Sequence, residues 1–174
     1  MARKVSAEES ERREAHIDQA DASIANELML LGVHVESVWD LPRDKTVPSA
    51  AFDLMFRALE QTPRHPRVIR LGLANALANR AASDHLEHVL DLLRRENDVL
   101  VRDALAGAAS EMASPDQADR LLEACRDKSL GDCRVMFVPR LARFRRRGIR
   151  EALQGLANDP ILKDAIARHV RADD

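Results

Sequence analysis

The sequence predicts an all-α protein, a right-handed α-solenoid of helix pairs behind an N-terminal capping helix. Three observations carry that prediction. The first is a helix that returns. Residues 65–77 laid along the 98–110 segment so that Arg70 falls on Arg102 put Ile69 on Val101, Leu73 on Leu105 and Leu77 on Ala109. A second slide of the same length brings Arg134 under Arg102, and Cys133, Phe137, Leu141 and Phe144 continue the apolar stripe. The second observation is that shorter amphipathic segments lie between the copies, so each repeat reads as two helices, within the length range of helical solenoid units. The third is composition. Ala and Leu dominate the apolar residues, aromatics make up 3% and Tyr is absent. Ala, Leu, Arg and Glu lose little rotamer freedom in a helix, which favours helix over sheet.

At 174 residues the chain reads as one folded unit. Residues 1–47 form the capping helix and a Trp-containing connector, and residues 48–174 form the repeats. The formal net charge of −2 gives no bulk attraction to nucleic acid or membrane, so electrostatic recognition has to be local. Cys125 and Cys133 make no disulfide framework and no metal-ligand spacing; they read as small core residues of a reducing compartment. The charged N-terminus lacks the apolar run of a signal peptide, and no stretch is long enough to span a bilayer, so the expected location is the cytoplasm.

In order along the chain, residues 1–7 are expected to be loose. Ile17, Ala20, Ile24, Leu28 and Leu31 then mark one face of a helix over residues 7–31, with Glu8, Glu9 and Glu11 near its positive end and Gly32 as its stop. Residues 32–48 are irregular, because Pro42 and Pro48 prevent a continuous helix; Val33, Val35, Val38, Trp39 and Leu41 anchor them. Pro48 opens the first repeat at N1, and Phe52, Met55, Phe56 and Leu59 define a stripe to about residue 61. After the break at residues 62–66, Val68, Ile69, Leu71, Leu73, Ala74, Ala76 and Leu77 wrap most of a second helix, which predicts a helix sandwiched between neighbours.

The second repeat starts with Ser83 as N-cap and Leu86, Val89, Leu90 and Leu93 as its stripe. After a turn at residues 96–98 comes a helix predicted to bury Leu100, Val101, Ala104, Leu105, Ala108 and Met112. Ser114, Pro115 and Gln117 compose a capping box with Pro at N1. Ala118, Leu121, Leu122 and Cys125 follow facing inward, then a helix with Val135, Met136, Phe137, Leu141 and Phe144. Pro139 lies inside that helix and predicts a kink. Ile149, Ala152, Leu153 and Leu156, a turn at residues 158–160, and Leu162, Ile166 and Val170 close the stack.

A two-helix unit with Asp or Pro in its turn and a following Val-x-Arg step resembles the HEAT-like repeat family. The matching residues are Pro66 with Val68, Ile69 and Arg70, Asp98 with Val101 and Arg102, and Asp132 with Arg134. The third copy departs from the second, since Asp132 stands closer to its arginine than Asp98 does. The likeness covers residues 46–170 and is similar to small stand-alone bacterial members, some of which accompany toxins as immunity partners. It implies first helices on the convex side and second helices on the concave side, the usual interaction face. A shared fold does not specify a function.

The candidate site residues are all partner-binding. Arg70, Arg102 and Arg134 recur at one position of successive second helices. They either pair with turn acids such as Asp98 and Asp132, setting the stacking, or line the concave face for an acidic partner. Arg140, Arg143, Arg145, Arg146, Arg147 and Arg150 follow Arg134 in a dense run, which reads as a solvated helix end or as a site for an acidic protein or duplex nucleic acid. Single-strand binding leans on aromatic stacking, and Phe144 alone is at hand. Trp39 either plugs the seam between cap and first repeat or serves as a binding anchor. His85 and His88 lack the spacing of a zinc site and read as exposed imidazoles. Gly-rich phosphate loops, a nucleophile elbow and paired carboxylates in an apolar setting do not occur. Trp39 and Asp40 give poor support for a HEAT-like glycosylase. The expectation is a non-catalytic scaffold without metal or cofactor, binding a protein, with duplex nucleic acid as the alternative.

Overall fold

The computed structural model describes residues 7–41, 47–61, 65–144 and 146–170. The expectations for residues 1–6, Pro42, the 62–64 turn and Arg145 lie outside them. Among the described residues the chain is all-helical, with no strand. The α-helices are α1 (Ala7–Leu30), α2 (Ser49–Glu60), α3 (Arg67–Ala76), α4 (Leu86–Arg95), α5 (Val99–Met112), α6 (Ala118–Arg126), α7 (Val138–Arg143), α8 (Arg147–Gln154) and α9 (Lys163–His169). Short 3₁₀ helices at Val38–Asp40, Arg80–His85, Pro115–Gln117 and Lys128–Phe137 complete the order.

The helix starts and stops have local causes. Gly32 ends α1 with φ 82°, letting the Val33 N–H bond the Leu28 carbonyl at 3.0 Å. Asp98 caps α5, its carboxylate accepting from the Leu100 and Val101 N–H groups at 3.1 and 3.3 Å. The Ser114–Gln117 capping box forms, and the Gln117 amide also donates to the Ser83 carbonyl at 2.8 Å, tying the third helix pair to the second.

Three local expectations are corrected. Ser83 does not cap a helix; the buried Asn79 accepts from the Ala81 N–H at 2.9 Å and starts a 3₁₀ turn instead, so α4 begins only at Leu86. Pro48 is the N-cap of α2 rather than its first residue. Pro139 kinks nothing, because Gly131 at φ 64° breaks the segment and 3₁₀ turns run to Phe137. Proline then falls in the first turn of α7, where its missing N–H has no intrahelical partner to lose.

The core is continuous from Ile24 and Leu28 of α1, through Phe52, Phe56, Ile69, Leu73, Leu90, Val101, Leu105 and Leu121, to Phe137, Leu153 and Ile166. Contacts run mainly between elements close in order. α3 packs on α5, α5 on α4 and on the Lys128–Phe137 segment, and α7 on α8 and α9. Gly72 on α3 permits a close approach: a Cβ there would stand 2.7 Å from Val38 Cγ2 and 3.2 Å from the Trp39 indole. The Val38–Asp40 turn is also pinned from α1, where Asp21 accepts from Ser37 Oγ at 2.7 Å and the Val38 N–H at 2.8 Å.

Candidate functional site

The recurring arginines point into the molecule. Arg70 is buried and its Nη2 donates to Glu96 in the turn between α4 and α5. Burial lowers its pKa, with Asp98 opposing. Arg102 donates to the Leu130 carbonyl at 2.6 Å, in the segment after α6. Arg134, 2% exposed, grips both carboxylate oxygens of Asp159 at 3.0 and 3.2 Å, in the turn after α8, and donates to the Cys125 and Gly131 carbonyls at 3.3 and 3.0 Å. Each of the three therefore reaches a partner 25–28 residues further along the chain. The acids differ from the expected ones. Asp98 uses its side chain as a cap, so Glu96 receives Arg70, and Asp132 is exposed while Asp159 receives Arg134. Arg134 is spent on partners within the chain, whereas Arg70, bonded to Glu96, also lines a recess of about 770 Å³ beside Glu60 and Asp98.

The run from Arg134 to Arg150 likewise breaks up. Arg140 is half-buried, donates Nε and Nη2 to the Ala113 carbonyl at 3.1 and 2.5 Å, and lies 5.1 Å over the Phe144 ring. Arg146 pairs with Asp119 at 3.3 Å and Arg147 with Glu151 at 2.8 Å, both in solvent, where such pairs contribute little stability. Arg143 is exposed. The run is thus spread over several local environments rather than forming one uniform basic strip.

The described surface also exposes apolar side chains. Leu71 and Asn75 of α3, Ala78 just beyond it, Leu100, Ala104, Gly107 and Ala108 of α5, and Met136 line a shallow groove of about 360 Å³, together with the carboxylates Asp103 and Glu111. Leu100 is 50% and Met136 43% exposed, where the sequence predicts burial for Leu100. The Ser110 hydroxyl holds the far wall in place, donating to the Met136 carbonyl at 2.9 Å. Gly107 lies mid-helix, where glycine costs about 1 kcal/mol relative to alanine. A Cβ on it would meet nothing within 4 Å, so packing within the chain does not require the glycine. Trp39 lies against α3 at Gly72 and stays 49% exposed, combining packing with an exposed face.

His85 and His88 are corrected from exposed to half-buried. Both lie on the α2 aromatics, with His88 stacked on Phe56 at 4.2 Å and bonded to Glu60 at 2.8 Å. Among the described residues no group of three His, Cys, Asp or Glu is placed to hold a metal ion, and no helix is long and apolar enough to cross a membrane. Cys125 and Cys133 are free and buried; burial pushes the Cys125 thiol up to about 12, far from the reactive thiolate range. Comparison with protein-family models, curated proteins and solved structures gives no match to this chain.

Proposed function

We propose that this protein is a non-catalytic scaffold of the HEAT-like type, a right-handed solenoid that binds a protein partner along the face formed by α3, α5 and the segment around Met136. The observation that carries the reading is Gly107, a mid-helix glycine retained over open space at the floor of an apolar groove. Small residues at Ala104, Gly107 and Ala108 suit close approach by a partner backbone, and Leu71, Leu100 and Met136 offer apolar contacts at the groove walls. The carboxylates Asp103 and Glu111 favour a partner segment with basic residues beside its apolar ones.

The order of contacts supports the serial stacking, as do three arginines each reaching a partner 25–28 residues further along the chain. The narrower reading, an immunity protein that occupies a toxin, rests on the family resemblance alone; its test is co-purification with the product of the adjacent reading frame. Duplex nucleic acid is the weaker alternative, because Arg134 is buried and Arg146 and Arg147 pair with carboxylates within the chain.

A photo-crosslinking amino acid at Ala104 tests the scaffold reading, with the same probe at the exposed Glu123 of α6 as control. The scaffold predicts one discrete protein adduct from position 104 in native extract and none from position 123. Equal labelling at the two positions would refute a specific groove.

A further inference from the structure

A second recess of about 350 Å³ lies beyond the end of the groove, lined by Arg80, Ser83, Met112, Ala113, Ser114, Pro115, Arg140, Arg143 and Phe144. It brings together three guanidinium groups from two different helix pairs. Arg80 is the first residue of the turn that Asn79 caps, and Arg140 and Arg143 come from α7. Arg140 is held by the Ala113 carbonyl and the Phe144 ring. Burial lowers its pKa, and the neighbouring Arg80 and Arg143 lower it further, against the opposing Glu111 carboxylate.

The crowding stands out against the rest of the chain, where acidic residues outnumber lysine and arginine. Arg94 pairs with Asp91 and Asp127, Arg120 with Glu87 and Glu123, Arg146 with Asp119 and Arg147 with Glu151. Arg80 and Arg143 pair with no carboxylate among the described residues, yet they share a concavity with a third arginine. Like charges brought together with only one carboxylate nearby cost free energy that a bound anion recovers.

We propose that the Arg80–Arg140–Arg143 recess is a binding site for a small phosphate-type dianion. Three fork-shaped donors against one carboxylate leave excess positive charge that a single carboxylate ligand cannot neutralise. A tetrahedral dianion neutralises it and supplies enough acceptor oxygens for several guanidinium groups at once. Arg140, fixed by Ala113 and Phe144, is the pre-set member, while the exposed Arg80 and Arg143 close on the anion from either side. The site does not depend on whether a protein occupies the α3–α5 groove.

Isothermal titration of the full chain with inorganic phosphate, slightly above neutral pH where the dianion predominates and at constant ionic strength, tests it. The expected result is saturable one-to-one binding, absent with acetate and weakened about tenfold or more by Arg80→Gln or Arg143→Gln. Arg147→Gln, on the exposed start of α8, should leave it unchanged. Both arginines are exposed, so circular dichroism of the two variants should match the parent. Three results would overturn the proposal: no saturable binding, an equal response to acetate, or unchanged affinity in both Arg80→Gln and Arg143→Gln. Displacement of phosphate by a DNA duplex at far lower concentration would overturn it in favour of nucleic acid.

Discussion

Truncating Arg134 to alanine should be among the most damaging single changes to this fold. Its side chain is 2% exposed and satisfies two backbone carbonyls, Cys125 and Gly131, as well as both oxygens of Asp159. Each buried carbonyl left without a donor costs about 1–3 kcal/mol. The two carbonyls therefore bring the loss to about 2–6 kcal/mol before the orphaned carboxylate is counted. For a domain of this size each kcal/mol moves the melting temperature by about 2–4 °C, so a fall of about 4–24 °C is expected. Arg134→Lys should recover only part of it, because an ammonium cannot present a planar fork to Asp159 while also reaching both carbonyls. Thermal unfolding followed by circular dichroism is the assay. A melting temperature within 2 °C of the parent for Arg134→Ala would refute the view that these arginines lock successive helix pairs together.

The same pair gives a pH dependence. The Arg134 hydrogen bond, then the Ile161 N–H, holds the Asp159 carboxyl below the usual carboxylate range. Its contribution to stability is thus present above the unfolded value near pH 4 and is lost as pH falls through the folded value. Urea midpoints measured downward from pH 5 should drop more steeply in the parent than in Arg134→Met; parallel profiles would contradict the assignment. Gly72→Ala sets a gain of about 1 kcal/mol in helix propensity against the clash with Val38, an overpacking cost of about 1–3 kcal/mol. It should destabilise on balance and shift the emission of Trp39, the sole tryptophan; unchanged emission would count against the close approach. Cys125 should resist iodoacetamide in the native protein and react in urea, as a buried thiol pushed up to about 12 requires; rapid native alkylation would contradict its burial.

The helices were legible because apolar residues recur three and four apart between strong punctuation, Gly32, Pro48, Pro66, Asp98 and Ser114. The register of Arg70, Arg102 and Arg134 was legible for the same reason. Their acceptors were not. Asp98 and Asp132 are the obvious turn acids, but a carboxylate acting as a helix cap is already engaged, and Glu96 and Asp159 have the reach instead. Periodicity also cannot separate a side chain facing the core from one facing an open groove, so Leu100 read as buried. Gly107 was the available signal, a helix-weakening residue inside an otherwise strong helix. The Arg80–Arg140–Arg143 recess was invisible, because it joins the turn before α4 to α7 across a long sequence separation, and no linear charge run contains all three.

Leu100→Asp, assayed for melting temperature and for the adduct trapped by a crosslinker at Ala104, addresses the central claim most directly. The side chain is half in solvent, so a groove built for a partner predicts a melting temperature within about 2 °C of the parent and loss of the adduct. An undiminished adduct would contradict the groove as the docking face, and a collapse in stability would show that Leu100 serves the core after all.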